Sequence, residues 1–265
     1  MAKLTFTILG CGSSGGVPRI GGLWGKCDPD NPKNNRRRCS MLVERQDAGG
    51  TTRVLIDTTP DMREQLLDAE VGDLDAVLFT HGHADHIHGI DDLRMIVIHR
   101  RERLQVWADL PTQERLYQGF NYVFQQPEGS PYPPLLIMNT IDGDVTIEGA
   151  GGAITFTPFL VGHGSIDALG FRVKKTAYLP DVAEIYEPAQ KHLQDLDHWI
   201  VDALRRNPHP THTHLERTLE WIEHYKPKQG ILTHMHIDMD YQTLVDETPD
   251  HVTPAYDGMR IVVPD

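Results

Sequence analysis

Ala76-Val77-Leu78-Phe79-Thr80-His81-Gly82-His83-Ala84-Asp85-His86 is the stretch on which the reading of the fold turns. Four apolar residues, the length of a short buried strand, run straight into three imidazoles and a carboxylate. Neutral imidazole and carboxylate are the donors that Zn²⁺ and its first-row neighbours prefer. A strand that ends at Phe79 would set His81 and His83 on one side of the following turn. It would direct Asp85 and His86 to a second position nearby, so that one short loop supplies two metal ions.

Working outward, the same arrangement recurs: an apolar run, then a metal-capable residue. Residues 159–161 lead into His163, 176–179 into Asp181 and 230–232 into His234. Active sites of layered α/β folds collect at one edge of the sheets in this way. Asp57 and Asp202 also end apolar runs and read as residues that orient ligands. Further strands are expected at 4–9, 40–44, 53–57, 104–107, 145–147, 154–156, 171–173 and 199–201. Helices are expected at 61–70, 91–103, 111–124 and 215–225. In the last of these Leu215, Leu219 and Ile222 share one face. The proline-rich stretch 127–134 reads as a loop and candidate lid, and 19–39 as irregular. Gly10, Gly12 and Gly15 match G-x-G-x-x-G in form, but Val17-Pro18 and Gly21-Gly22 stand where a dinucleotide fold needs a helix. The segment therefore reads as a close-approach loop beside a site. No internal repeat or linker divides the chain, and a single domain over 1–265 is expected.

The chain has 265 residues, enough for one large core. Its net charge of −13 argues against a general nucleic-acid binder, which usually carries a basic face. Three cysteines, Cys11, Cys27 and Cys39, are too few and too odd for a disulfide framework and fit a reducing compartment. The first residues lack the apolar core of a signal peptide, and no run approaches the length of a membrane span. A cytoplasmic protein without membrane contact is expected.

With these residues in place, the chain resembles the metallo-β-lactamase superfamily of binuclear hydrolases. The stretch from Thr80 to His86 fits its H-x-H-x-D-H signature, and His163, Asp181 and His234 match the order of its later ligands. The resemblance runs from the first strand to Tyr241. It implies an α/β fold, a four-layer αββα sandwich, with two divalent ions: zinc or manganese, with iron also compatible. It implies that His81, His83 and His163 hold one ion, that Asp85, His86 and His234 hold the other, and that Asp181 bridges them. Within the superfamily the likeness runs to the phosphodiesterase branch. That branch includes the phosphoribosyl cyclic phosphate phosphodiesterase of carbon–phosphorus lyase pathways and the tRNA 3′-processing endonuclease. The supporting feature is His212, just before a helix, where those enzymes project a histidine into the cleft. His214 competes for that role, and His236 competes with His234. The cyclic phosphate enzyme also carries a structural zinc on clustered cysteines and a later histidine. Here only Cys27 lies in that stretch and Ile237 stands at the partner position, so no structural zinc is expected. The tRNA-gripping arm of the endonuclease has no counterpart, and no stable nucleic-acid partner is expected.

The implied chemistry is phosphodiester hydrolysis. Two ions about 3.5–4 Å apart share a water and lower its pKa from about 15.7 to roughly 7, and the resulting hydroxide attacks phosphorus in line with the leaving oxygen. His212 assists the departing alkoxide and Asp85 holds the water in orientation. The expected substrate is a small cyclic phosphate or nucleotide-like molecule. Arg36, Arg37, Arg38 and Ser14 are candidate phosphate contacts, since guanidinium binds phosphate bidentately. Two alternatives stand beside this: a thiolester or lactone hydrolase of the same fold, and a non-enzymatic accessory protein in cofactor biosynthesis. Many relatives form dimers, which leaves a homodimer open.

Overall fold

The computed structural model describes residues 2–264. Its strands form two seven-stranded sheets. In the first the order is Met259–Pro264, Lys3–Gly10, Ser40–Asp47, Gly50–Ile56, Ala76–Leu78, Leu104–Ala108, Leu136–Thr140. In the second it is Val252–Pro254, Gln229–Thr233, His198–Asp202, Thr176–Leu179, Ile166–Val173, Ile154–His163, Val145–Ile147. The chain divides into two compact units, residues 2–9, 40–155 and 260–264 in one, and 10–39 and 156–259 in the other. Mixed sheets with helices in both units are the α/β class expected. No helix among the described residues is long and apolar enough to cross a membrane.

In the first unit, Ser40–Asp47 and Gly50–Ile56 pair antiparallel from Met41 opposite Ile56 to Asp47 opposite Gly50. The next three strands add in parallel. Parallel strands covered on both faces need continuous apolar sequence, and Ala76, Val77 and Leu78 are each fully buried. The core gathers Leu42, Leu55, Val77, Phe79, Leu93, Val106, Leu116 and Leu136. Helix Leu110–Phe124 begins where the Asp109 carboxylate accepts the Thr112 N–H at 3.1 Å, with Pro111 in the first turn. The helix expected over 91–103 is shorter. A 3-10 turn at Ile90–Asp92 precedes Leu93–Arg100, and Arg101 ends it in the left-handed conformation at φ 58°. Strand Leu136–Thr140 was not expected, because after Leu136 its residues run from half-buried to exposed at Thr140 and show no alternation.

In the second unit, Thr176–Leu179, His198–Asp202, Gln229–Thr233 and Val252–Pro254 are parallel. Two antiparallel steps from Thr176–Leu179, through Ile166–Val173, return Ile154–His163 to the same direction. Four strands thus end at one sheet edge, and His163, Asp181, Asp202 and His234 sit at or just past those ends. Helix Leu215–Tyr225 has the expected bounds and buries Leu215, Thr218, Ile222 and Tyr225. The glycine-rich loop after Lys3–Gly10 leads into no helix. Gly12 bridges both Arg38 and Met235. A Cβ there would lie 2.9 Å from the Arg36 carbonyl oxygen, the close approach that glycine permits.

Gly89 closes the turn after the histidine-rich loop, and its N–H donates to the Thr58 carbonyl at 2.8 Å. A Cβ there would stand 2.0 Å from the Thr59 carbonyl oxygen, whereas one at Gly72 would meet nothing within 4 Å. Gly89→Ala is expected to destabilise the chain by about 1–3 kcal/mol through overpacking. Gly72→Ala is expected to be neutral or slightly stabilising. Denaturant titration of both variants checks this, and equal stabilities would contradict it.

Candidate active site

The first unit holds one group of candidate side chains. Past strand Ala76–Leu78 the chain turns through Thr80, His81 and His83 into the single helical turn Ala84–Ile87. His81 and His86 are buried, Asp85 is half-buried and His83 is exposed. Their arrangement depends on Asp57, at the end of the neighbouring strand. Asp57 is fully buried and adopts φ 65°, a conformation that non-glycine residues rarely take. One of its oxygens accepts the Thr80 N–H at 2.8 Å. The other accepts the Thr80 hydroxyl and His86 Nδ1, both at 2.8 Å. Because the Thr80 hydroxyl spends its hydrogen on Asp57, it accepts at its oxygen from His81 Nδ1, 3.0 Å away. Both imidazoles therefore carry a proton on Nδ1, and Nε2 is the nitrogen left to act as ligand. The His81 ring centroid lies 4.6 Å from that of His83 and 4.3 Å from that of His86. Asp85 Oδ2 is 3.5 Å from His86 Nε2. Burial pushes the Asp57 carboxyl above its ordinary value, against the opposing pull of His86.

The second unit, taken by itself, holds another group. Asp181 Oδ1 stands 3.6 Å from His163 Nε2 and 3.6 Å from His234 Nε2. Asp202, fully buried, accepts from His212 Nδ1 at 2.8 Å and from the Val182 N–H at 3.1 Å. Burial raises its carboxyl, while His212 opposes that shift. The His212 ring stacks on His234, centroids 4.7 Å apart and planes inclined by 14°. His234 is held at φ 58°. Like Asp57, it is a left-handed non-glycine residue at a site, where such conformations cluster. His163, Asp181 and His212 form one cluster of potential ligand atoms, and Asp202, His212 and His234 another.

The contested positions separate. His236 places Nδ1 3.0 Å from Asp238 Oδ1 and Nε2 against the Arg19 guanidinium, whereas His234 faces Asp181. His212 lines a cavity with His234, while His214 occupies the cap of helix Leu215–Tyr225. Arg36 is corrected as a phosphate contact. Its side chain is 1% exposed and lies within the loop, where its guanidinium donates to Asn34 Oδ1 at 3.1 Å and lies 3.8 Å from Cys27 Sγ. Arg37 is engaged with Asp257, at 3.2 Å. Ser14 lines the cavity with His212. Arg19 and Arg205, which sequence reasoning passed over, line it too, as does His209, which has no position in the family's motif and reads from the sequence as non-catalytic. Nothing local marks them, since the segments that bring them together are far apart in the chain. Cys11, Cys27 and Cys39 are buried free thiols.

The profile of a beta-lactamase superfamily domain matches residues 52–235. The crystal structure of a new diphosphatase from the PhnP family is similar, with a TM-score of 0.86 and 35% identity, over 99% of this chain and 98% of that one. An octanoyltransferase of Porphyromonas gingivalis (strain ATCC BAA-308 / W83) is 33% identical over 260 residues, 97% of this chain and 51% of that protein. A ribonuclease Z of Bradyrhizobium sp. (strain ORS 278) is 30% identical over 169 residues, 61% of this chain and 48% of that protein. The chain spans about half the length of these curated relatives.

The hydrogen bonds set a tautomer that can be observed directly. Long-range ¹H–¹⁵N spectra of the metal-free protein are expected to show His86 and His212 each with a proton on Nδ1. Nδ1 unprotonated in either ring would contradict the geometry.

Proposed function

We propose that this chain, which belongs to the metallo-β-lactamase superfamily, is a metal-dependent phosphodiesterase acting on a small cyclic phosphate or nucleotide-like substrate. His81, His83, Asp85 and His86, together with His163, Asp181 and His234, are the proposed ligands of two divalent ions, zinc or manganese, with iron compatible. The observation that carries the reading is the pair of buried carboxylates, Asp57 and Asp202, each holding a histidine by Nδ1. This is how a ligand or catalytic imidazole is aimed through Nε2.

The donor set fits such ions. It consists of imidazole nitrogen and carboxylate oxygen, which zinc and its neighbours accept. The 3.6 Å separations of Asp181 Oδ1 from His163 Nε2 and His234 Nε2 are longer than hydrogen bonds. They are near the spacing of two atoms that each lie about 2.1 Å from one tetrahedral ion. Bound ions would supply Lewis acidity, acidifying water and neutralising charge on the phosphoryl group.

The chain's own residues would do the rest. Asp85 orients the attacking water. His212, when doubly protonated, gives one hydrogen to Asp202 and keeps the other, on Nε2, for the leaving oxygen. Asp202 faces the charge that His212 carries in that state. The name of the diphosphatase relative supports phosphoryl chemistry. The name of the octanoyltransferase relative favours a second reading, hydrolysis of an acyl ester or thiolester at the same residues.

The test is turnover by protein reconstituted with Mn²⁺ or Zn²⁺. Bis(p-nitrophenyl) phosphate and 2′,3′-cyclic AMP are both expected to be hydrolysed. His212→Ala is expected to cost about 10²–10⁴-fold on the cyclic nucleotide. The loss is expected to be smaller on the nitrophenyl ester, whose leaving group needs little protonation. Thiolester turnover with both phosphodiesters untouched would transfer the reading to acyl chemistry.

A further inference from the structure

Beside His212 and His234 the second unit holds a half-open cavity of about 170 Å³, also lined by Arg19, Arg205, His209 and His236. Two arginines line this small space in a chain whose net charge is −13. Neither has a carboxylate within ion-pair distance among the described residues.

Each is nevertheless held in place. Arg19 opens a tight hairpin, its N–H donating to the Leu23 carbonyl at 2.9 Å and its own carbonyl accepting the Leu23 N–H at 3.2 Å. Its side chain lies over Gly15, where a Cβ would meet Arg19 Nε at 3.2 Å. One end of its guanidinium donates to His236 Nε2, and His236 is anchored through Nδ1 to Asp238. Arg19 thus receives a neutral acceptor and keeps its charge unmatched. Arg205 donates only to backbone carbonyls, from Nε to Asn207 at 3.1 Å and from Nη2 to Pro208 at 2.7 Å. His209 accepts the Thr211 N–H at Nδ1, at 3.3 Å, which places its own proton on Nε2. Burial pushes this imidazole below its ordinary value, consistent with the neutral form.

Fixed guanidiniums with N–H groups to spare and a neighbouring imidazole donor are what a phosphate group needs when its charge grows from one to two as it leaves. We propose that Arg19, Arg205 and His209 form a subsite for a second, non-scissile phosphate, so that the substrate class is a diphosphate diester. This rests on the phosphodiesterase reading and narrows it. Water adds to the scissile phosphorus, the bond from that phosphorus to the bridging oxygen breaks, and the products are two phosphate monoesters. The departing monoester keeps its developing negative charge over Arg19 and Arg205, where oriented cations lower the barrier as well as bind.

The test compares the metal-loaded protein with its Arg19→Gln and Arg205→Gln variants on di(adenosine-5′) diphosphate and on bis(p-nitrophenyl) phosphate. Each variant is expected to lower the ratio of kcat/KM for the first substrate over the second by about tenfold or more. A ratio within about threefold of the unaltered protein's would overturn the subsite. So would an unaltered protein that cleaves the nitrophenyl ester but not the diphosphate. Arg19→Lys, which keeps charge but loses the planar fork, is expected to fall between, and it guards against a folding defect in the glutamine variant. If the unaltered protein cleaves neither compound, the phosphodiesterase reading fails and equilibrium dialysis with AMP decides the subsite. About tenfold weaker AMP binding in the variants upholds it, and equal binding overturns it.

Discussion

A carboxylate taken fully out of water must be matched by donors, or its ionised form costs far more than a domain's net stability. Among the described residues two carboxylates, Asp57 and Asp202, are completely buried. Asp57 meets the demand with the Thr80 N–H, the Thr80 hydroxyl and His86 Nδ1. Asp202 meets it at one oxygen, Oδ2, with His212 Nδ1 and the Val182 N–H, while Oδ1 makes no hydrogen bond among the described residues and faces His234 Nδ1 from 3.9 Å. The donors all come from the segments that carry the proposed ligands and the proposed acid. The condition that makes each burial tolerable is therefore the condition that aims each imidazole. Neither can be lost without the other.

The sheets make that matching possible. Parallel register sets Asp202 opposite Thr233, so His234 follows directly beside it, and Leu179 opposite Val201, so Asp181 arrives one strand further along. In the first unit Ile56 pairs with Leu78. Asp57 and the Thr80 loop then emerge from neighbouring strand ends. The left-handed backbone at Asp57 and His234 turns these residues back toward the edge instead of letting the strands continue. A strained conformation at both places is kept because several hydrogen bonds and strand pairings over-determine it.

This explains what could be read in advance. The histidine-rich loop was legible because its donors are adjacent in sequence and follow an apolar run. His163, Asp181 and His234 were legible because each ends a strand. Asp57 and Asp202 read as orienting residues because they end apolar runs, and each accepts a hydrogen bond from a histidine Nδ1. Arg36 misled because a charged run normally marks a solvated surface. Asn34 lies close enough in the same irregular loop to accept from its guanidinium, and Arg36 is enclosed instead. The pairing of Arg19 with His236 escaped notice because 217 positions separate them, and only the folded second unit joins them. The short helix Tyr241–Glu247 was missed because it buries only Tyr241 and Leu244, too few for a periodic signal.

The central claim is that the imidazoles present Nε2 to divalent ions while Asp57 and Asp202 stay behind as hydrogen-bond anchors. Anomalous diffraction at the zinc edge, from crystals grown with Zn²⁺, tests it most directly. The account predicts two ions bound through Nε2 of His81, His86, His163 and His234, with Asp181 coordinating and with Asp57 and Asp202 bound to no metal. Zinc on Nδ1 of these rings, zinc on Asp57 or Asp202, or no ordered zinc among them would contradict it.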